Sequence, residues 1–307
     1  MGLFRRVAER RRPPAGPGGT DLLGQPTLHR RQLLGAAGAV AAASISTTRL
    51  LAPTPAPETD AEEDDDEEVE DPRSGLRRLI WSVETDAPRA ALTFDDGPHP
   101  ALTPRILDLL DRHGITATFM AMGHAAERYP GLMAEIVAAG HEIGHHTWHH
   151  KNLARASARE TRDEIDRGVE LVEEAAGRPA RLFRPPQGRL SEAAVRLVAR
   201  HGHDIVLWSV TRGRLSELSS RRIADHLVGS IGRGDIIDLH DGIGRGTFAP
   251  NAPFAVRLMD RRLSEVAALP EMIERVGARG IRLGTISDLL AVRSDDGGRR
   301  GDDGASA

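Results

Sequence analysis

The strongest constraint on the fold is an alternation of two hydrophobic patterns between residues 77 and 292. Short apolar runs recur at 90–94, 116–121, 142–144, 181–184, 204–210, 235–239 and 281–284. Longer segments with helical periodicity separate most of these runs, as at 103–114, 157–177 and 191–202. Such alternation is typical of a mostly parallel α/β sheet. We therefore predict an α/β fold, a distorted and incomplete (β/α) barrel of about seven parallel strands, like an unfinished TIM barrel.

Capping signals mark several of the predicted helix ends. Thr103 followed by Pro104 resembles an N-cap with a first-turn proline, and Gly114 resembles a C-cap. Ser191 and Pro270 have the residue types that open later helices. We expect helices to begin at these positions and the first of them to end at Gly114.

The first 51 residues are basic and indicate a targeting segment. Residues 1–50 carry eight arginines, and the pair Arg30 and Arg31 precedes an alanine-rich apolar run that ends before Arg49. This run is shorter than the about 20 residues that a membrane-spanning helix needs. The arginine pair resembles a twin-arginine secretory signal. We expect export through the twin-arginine machinery to the cell envelope or the extracellular space; an uncleaved membrane anchor and a soluble alanine-rich helix are the alternatives.

Composition separates the remaining parts of the chain. Residues 52–76 are proline-rich and then acidic, with eleven acids from Glu58 to Asp71, which predicts a disordered linker. The polar residues 293–307 predict a disordered tail. From Pro72 onward, 33 basic residues nearly balance 32 acidic ones, so no nucleic-acid partner is expected. The absence of cysteine excludes disulfides and thiolate chemistry. With both flanking segments predicted to be disordered, residues 77–292 are the predicted functional domain.

Polar side chains follow several predicted strands at the point where each strand ends. Asp95 and Asp96 follow the first run, a histidine-rich segment follows the third, Arg184 follows the fourth, and His240 follows the run at 235–239. Parallel α/β folds place their active sites at the carboxyl ends of the strands. We therefore expect these residues to meet in one site.

The segment "HEIGHHTWHH", residues 141–150, contains five histidines and suggests metal binding. His146 and His150 are four residues apart, a spacing that would place both rings on one face of a helical turn. His141, His145 and His149 form a rival set with the same spacing, and a solvated histidine-rich loop is a further alternative. A third ligand has to come from elsewhere, and the obvious donors are the two aspartates after the first strand.

Four ordered motifs between about residues 89 and 292 resemble those of the polysaccharide deacetylases with NodB homology, carbohydrate esterase family 4. The motifs are TFDDG at 93–97, H-[ST]-x-x-H at 146–150, RPPQG at 184–188 and an apolar run ending in histidine at 237–240. The match to the second motif favours His146 and His150 over the rival histidines. The resemblance implies the NodB variant of the incomplete barrel.

The resemblance also implies a role for each motif residue. Asp96, His146 and His150 would bind a divalent metal, with zinc expected and cobalt or nickel as alternatives. Asp95 would be the general base. A further two residues complete the chemistry: His240 would be the general acid, and Arg184 would orient Asp95 through a charge-assisted ion pair.

The oxyanion and substrate pocket is expected to involve Pro186, Gln187, Trp208 and Leu239. The main-chain N–H of Gln187 would stabilise the tetrahedral oxyanion, as the resemblance implies. The family usually has tyrosine at this position, so an aromatic surface for the sugar is lost here while the main-chain donor remains.

The fourth family motif is altered. Where the family has Asp-Trp, this chain has Arg214 and Leu215. In the family that aspartate supports the acid histidine, and an arginine in its place would disfavour protonated His240. Glu217 is the nearby carboxylate that would substitute for it.

The predicted function is metal-dependent hydrolysis of the acetamide of N-acetylated sugars in a cell-envelope or extracellular polysaccharide, either peptidoglycan-like or chitin-like. The alternatives are a catalytically weakened homologue that binds glycan, an O-acetyl esterase on the same fold, and a histidine-rich metal carrier. The complete set of Asp, Asp, His, His, Arg and His favours the enzyme.

Overall fold

The computed structural model of the chain describes residues 78–212 and 219–299. The predicted signal segment and the linker lie outside these residues, as do Arg214, Leu215 and Glu217 of the altered motif. Within the described ranges, no helix combines the length and apolar character that a membrane crossing requires.

Nine strands lie within the described residues. They are β1 (Leu79–Ile80), β2 (Arg89–Asp95), β3 (Thr118–Ala121), β4 (Glu142–His145), β5 (Leu182–Phe183), β6 (Asp204–Val206), β7 (Val210–Thr211), β8 (Ile236–His240) and β9 (Arg282–Gly284). The helices between and after them are α1 (Thr103–His113), α2 (Gly123–Arg128), α3 (Pro130–Ala138), α4 (Ala158–Ala176), α5 (Glu192–Arg200), α6 (Ser220–Ser230), α7 (Pro253–Ala278) and α8 (Ile286–Arg299). Two short 3₁₀ helices occupy Pro186–Gly188 and Gly244–Phe248.

The strands form one sheet in the order β1-β6-β5-β4-β3-β2-β8-β7, and β9 pairs with the beginning of β2. All pairings between named strands are parallel, and the sheet curls into an incomplete barrel covered by helices. The α/β barrel prediction is therefore confirmed. The strand number exceeds the expected seven because the run at 204–210 divides into β6 and β7 and because the short β1 precedes β2.

Side chains alternate across the strands at the centre of the sheet. Leu92 and Phe94 of β2 pack into the main core between the sheet and the helices. Thr93 and Asp95 therefore face the opposite side, since neighbouring side chains in a strand point to opposite faces. The register of β2 and β8 pairs Asp95 with His240. Two polar residues that are far apart in sequence thus share one face at the carboxyl ends of adjacent strands.

Some helix boundaries agree with the sequence and others differ. Gly114 caps α1 with a left-handed backbone (φ 61°), and the Ser191 side chain accepts a hydrogen bond from the N–H of Ala194 at 3.3 Å, as expected for caps. Thr103 is not an N-cap. Leu102 occupies that position, and the Thr103 hydroxyl donates a 2.7 Å hydrogen bond to Asp241 instead.

Pro270 does not begin a helix. It lies inside the 26-residue α7, which begins at Pro253. Proline removes one helical hydrogen bond, but buried residues on both sides of it, among them Leu269 and Met272, anchor the helix to the core. Tertiary packing therefore outweighs the local preference. The last helix, α8, runs from Ile286 to Arg299, and the disordered tail at 293–307 stays a prediction.

Candidate active site and metal centre

The two adjacent aspartates take different directions because the backbone turns sharply after β2. Asp95 ends the strand, whereas Asp96 has a left-handed backbone with φ 76°, which aspartate tolerates better than most residues. A Cβ at Gly97 would overlap the Asp241 carboxylate, and one at Gly242 would overlap the main-chain oxygen of Asp96. Both glycines are therefore required for the turn that separates the two carboxylates.

Asp96, His146 and His150 converge on one point. Their ligand atoms all lie within 4.8 Å of one another. The Asp96 Oδ1 atom is 3.7 Å from His146 Nε2 and 3.3 Å from His150 Nε2. Thr147 and His150 have positive φ angles of 66° and 58°, so the histidine segment is a tight turn rather than a helix. The predicted pairing of His146 with His150 holds, although it does not come from a helical face.

The donor set fits a divalent metal. Nδ1 of His146 lies 2.7 Å from the carbonyl oxygen of Arg184, which fixes Nδ1 as the donor and leaves Nε2 to ligate. Asp96 Oδ1 and His150 Nδ1 are buried without a hydrogen-bond partner among the described residues. Burial lowers the pKa of His150 to about 4, so this ring is the neutral imidazole that metals require. Burial alone would raise the pKa of Asp96, but the neighbouring histidines and Arg262 hold it well below the ordinary value.

The rival histidines are engaged elsewhere. His141 Nδ1 accepts a hydrogen bond from the N–H of Ala117 at 3.2 Å. His145 Nε2 lies 3.0 Å from His203 Nδ1, and His149 Nδ1 lies 3.1 Å from Glu164 Oε1. Each ring thus has its own partner, and only His146 and His150 of the five turn toward Asp96.

Arg184 holds Asp95 from behind. The arginine side chain is fully buried, and its Nη1 atom donates to Asp95 Oδ1 at 2.6 Å and to Thr93 Oγ1 at 2.7 Å. Its remaining nitrogens donate to the carbonyl oxygens of Val206 and Leu207. The guanidinium is therefore fixed in place, and the predicted ion pair with Asp95 is present in the structure.

Asp238 also approaches Arg184, with Oδ1 at 3.6 Å from Nη1. Burial and the nearby Asp95 carboxylate raise the pKa of Asp238 to about 7. The shorter contact of Arg184 is the one to Asp95 Oδ1, at 2.6 Å.

His240 has a carboxylate partner that comes from a helix. Its Nδ1 atom lies 3.1 Å from Glu265 Oε2, and Glu265 is only 2% exposed on α7. Burial would lower the pKa of His240, as would Arg262, but the Glu265 and Asp238 carboxylates outweigh them and raise it. The site therefore favours the protonated imidazole.

Two arginines hold Glu265 ionised. Arg262 Nη1 is 2.9 Å and Arg212 Nε is 2.6 Å from Glu265 Oε1. Burial alone would raise the pKa of Glu265, but Arg262 and His240 lower it to about 2. Arg262 also donates through Nη2 to Asp96 Oδ2 at 3.2 Å, so it links the acid side of the site to the metal ligands.

Several known proteins are similar to this chain in sequence. A model of the polysaccharide deacetylase family matches residues 82–229. A peptidoglycan-N-acetylglucosamine deacetylase of Bacillus cereus is 32% identical over 217 residues, which cover 70% of this chain and 94% of the relative. A chitooligosaccharide deacetylase of Sinorhizobium fredii is 34% identical over 210 residues, which cover 68% of this chain and 91% of the relative. This chain belongs to the polysaccharide deacetylase family.

One solved structure with a similar fold is described as a pseudoenzyme. A family CE4 pseudoenzyme from Bacillus anthracis superposes with a TM-score of 0.60 at 23% identity, covering 70% of this chain and 69% of that one. The shared fold therefore does not determine activity, which depends on the side chains of the site.

Sequence reasoning missed Glu265 and Arg262. They lie three residues apart on α7, and at that spacing an arginine and a glutamate usually form an exposed ion pair. No motif marks them, and only the packing of α7 against the end of β8 reveals that both are buried. Glu265 contacts His240, the histidine that the resemblance to the family expects a fourth-motif aspartate to support. Glu217, the substitute expected from the sequence, lies outside the described residues.

The four predicted pocket residues have different surroundings. Gln187 is exposed, has a left-handed backbone (φ 60°) and accepts a 3.1 Å hydrogen bond from Asn152 Nδ2. Pro186 is buried in the same 3₁₀ turn, and the Trp208 ring lies 5.8 Å from the Arg184 guanidinium.

Leu239 does not reach the site. It is 1% exposed and belongs to the main core, because it lies on the face of β8 opposite to His240. Its proximity in sequence to the acid histidine was misleading, since adjacent residues of a strand point in opposite directions.

Proposed function

We propose that this chain is a metal-dependent N-deacetylase that removes acetate from N-acetylated sugars of a cell-envelope or extracellular glycan. The observation that carries the proposal is the placement of a carboxylate and a histidine, Asp95 and His240, on paired positions of adjacent strands beside three converging metal ligands. Relatives that act on peptidoglycan and on chitooligosaccharides support the substrate class. The arginine pair at the N-terminus supports export through the twin-arginine machinery.

Asp96, His146 and His150 would hold the metal, with zinc expected and cobalt or nickel as alternatives. A divalent cation in this position lowers the pKa of water and polarises a carbonyl group. Two imidazoles and one carboxylate leave room in a four- to six-coordinate sphere for water and substrate.

Asp95 is the proposed general base. Its Oδ2 atom lies 3.7 Å from Nε2 of the ligand His146, so it stands beside the metal centre without being one of the three convergent ligands. Arg184 occupies Oδ1 and directs the other oxygen toward the reacting water. Asp95 would accept the proton of that water as it attacks the acetamide carbonyl.

His240 is the proposed general acid. The Glu265 contact at Nδ1 leaves Nε2 to donate a proton to the departing amine, which leaves poorly unless it is protonated. We propose that Glu265 is the positioning residue that fixes this tautomer, in place of the missing fourth-motif aspartate. The main-chain N–H of Gln187 is the proposed oxyanion donor.

The test is acetate release from N-acetylglucosamine oligomers and from peptidoglycan, measured before and after chelation and after zinc is restored. We expect release that is lost on chelation, recovered with metal and abolished in Asp96→Ala. Metal-loaded protein that binds the oligomers but releases no acetate would identify a glycan-binding homologue. Release from O-acetylated xylan alone would identify an esterase, and metal affinity unchanged in Asp96→Ala would overturn the three-ligand site.

A further inference from the structure

A cluster of aromatic side chains that has no part in the proposed chemistry lies next to the proposed metal ligands. We call Phe248, His124 and His149, with Trp148 packed against His149, the aromatic shelf. The ring centroid of Phe248 lies 4.7 Å from that of His124 and 5.3 Å from that of His149. The Trp148 and His149 rings are 3.7 Å apart. Residues from three separate segments thus form one cluster of aromatic rings, tilted against one another by 32° to 53°.

The shelf is exposed although it is aromatic. Phe248 is 45% exposed, and the His149 side chain is 34% exposed. Water contact with a large apolar ring is unfavourable, and few large hydrophobic side chains are this exposed in the described part of the chain. Exposed aromatic surface beside a site of polar groups is typical of a ligand-binding surface.

The shelf is held rigidly. The buried Glu164 of α4 accepts hydrogen bonds from the His149 N–H at 2.8 Å and faces His149 Nδ1 at 3.1 Å, which fixes that ring. The N–H of His124 donates to the main-chain oxygen of Trp148 at 3.1 Å. A surface ordered in advance loses little side-chain entropy when a ligand binds.

The shelf borders the metal centre on two sides. His149 immediately precedes the ligand His150 in the chain. Phe248 ends the 3₁₀ helix that starts at Gly244, where a Cβ would lie 3.0 Å from Asp96 Oδ1. The surface is therefore adjacent to the point where the acetamide would be cleaved.

We propose that the aromatic shelf binds a pyranose ring of the glycan next to the sugar that is deacetylated. A pyranose with equatorial hydroxyls has apolar faces of axial C–H groups, which pack on an aromatic ring while the hydroxyls at its edge stay in water. The shelf supplies an aromatic surface in a chain that has Gln187 where the family usually has tyrosine. This inference rests on the proposed glycan deacetylase function.

A purely structural role is the competing explanation, in which Phe248 only covers the histidine turn. Phe248→Ala would then reduce metal content or thermal stability and leave glycan affinity unchanged. Phe248→Leu separates the two roles, because leucine keeps the apolar cover but lacks the flat face. Phe254→Ala is the matched control, since Phe254 is 43% exposed and is not part of the shelf.

The experiment measures kcat and KM on N-acetylglucosamine pentamer with the full zinc-loaded chain, together with Kd in an Asp95→Asn background, in which turnover is slow enough for binding to be measured. For Phe248→Ala we expect KM and Kd to rise about tenfold with kcat little changed, equivalent to about 1.4 kcal/mol. Phe248→Leu should show most of that rise, Phe248→Trp should retain wild-type affinity, and Phe254→Ala should match the wild type. Melting temperature and metal content establish that each variant is folded and loaded.

The outcomes separate the two proposals. If the wild type releases acetate and both Phe248→Ala and Phe248→Leu keep wild-type KM and Kd, the shelf has no role in binding and the deacetylase function stands. If the wild type releases no acetate from any N-acetylated glycan, the proposed function fails first. A binding defect in the Asp95→Asn background would then still support a glycan site on the shelf.

Discussion

The two sides of the site place the proposed acid and the proposed base on paired positions of adjacent strands but support them in different ways. Asp95 is held by Arg184, which follows the strand β5 of the same sheet. His240 is held by Glu265, which comes from the middle of α7. Positions at strand ends are recognisable in sequence, whereas a functional residue on the buried face of a helix looks like any other residue of that helix.

The two sides also differ in charge. On the proposed base side, Arg184 alone pairs closely with Asp95, at 2.6 Å, and burial and Asp95 raise the pKa of the neighbouring Asp238 to about 7. On the acid side, Arg262 and Arg212 both contact Glu265, and Arg262 extends to Asp96. The base therefore depends on a single pair and the acid on a network, and we expect substitutions on the two sides to have different consequences.

The largest effect is expected on the base side. Asp95→Asn removes the proton acceptor while keeping the shape of the side chain, and should reduce kcat by about 10²- to 10⁴-fold. Acetate release under saturating oligomer is the measurement. Asp238→Asn is the matched control, because Asp238 is a buried neighbour of Arg184 that has no part in the proposed proton transfer, and its substitution should reduce kcat far less. Equal losses in the two variants would contradict the assignment of the base.

A smaller loss is expected on the acid side. Glu265→Gln removes a charge-assisted hydrogen bond to His240, and kcat should fall about 10- to 100-fold with KM little changed. Steady-state kinetics with zinc content checked would measure it. Glu265→Asp should recover part of the activity, and Glu271→Gln on the surface of the same helix should have no effect. Wild-type kcat in Glu265→Gln would show that the acid does not depend on this helix.

The pH profile sharpens the same comparison. The raised pKa of His240 keeps the ring protonated to higher pH, so kcat should fall as the pH rises through that pKa. Without the Glu265 carboxylate the pKa falls, and the alkaline limb of kcat against pH should move to lower pH. Asp95→Asn should leave the position of this limb in place in its residual activity. A limb that does not move in Glu265→Gln would assign it to another group.

The smallest effect is expected where neither side of the site is involved. Ser157 caps α4 in a capping box with Glu160, and Ser157→Ala should lower the free energy of unfolding by about 1 kcal/mol. Chemical denaturation measures this change, with kcat expected to stay at the wild-type value. A fall in kcat comparable to that of Glu265→Gln would show that α4 matters to the site beyond its stability.

Much of the fold could be predicted from the sequence, as could Arg184 as the partner of Asp95. The partner of His240, Glu265, could not. Alternating patterns predicted the parallel barrel, and the resemblance to the family motifs selected Asp96, His146 and His150, whose ligand atoms converge in the structure. The prediction that Leu239 lines the pocket was wrong because neighbouring residues of a strand point to opposite faces, and a sequence motif does not show this alternation. The error at Pro270 arose because packing held α7 through a proline.

Glu265 could not be predicted for a different reason. The sequence shows that Arg262 and Glu265 share a helix face, but the choice between a solvated ion pair and a buried one depends on where that helix lies against the sheet. Burial determines both the partner and the pKa of each residue. Tertiary placement of a helix is information that local patterns lack.

The backbone of the site has a consequence for protein engineering. Asp96, Thr147, His150 and Gln187 are the non-glycine residues with positive φ in the described part of the chain, and all four lie in or beside the site. Each left-handed residue costs about 1–2 kcal/mol relative to an ordinary backbone. Selection for thermal stability alone would therefore favour glycine at these positions, among them the proposed metal ligands Asp96 and His150, and the most heat-resistant descendants of this protein would be the ones most prone to lose the proposed chemistry.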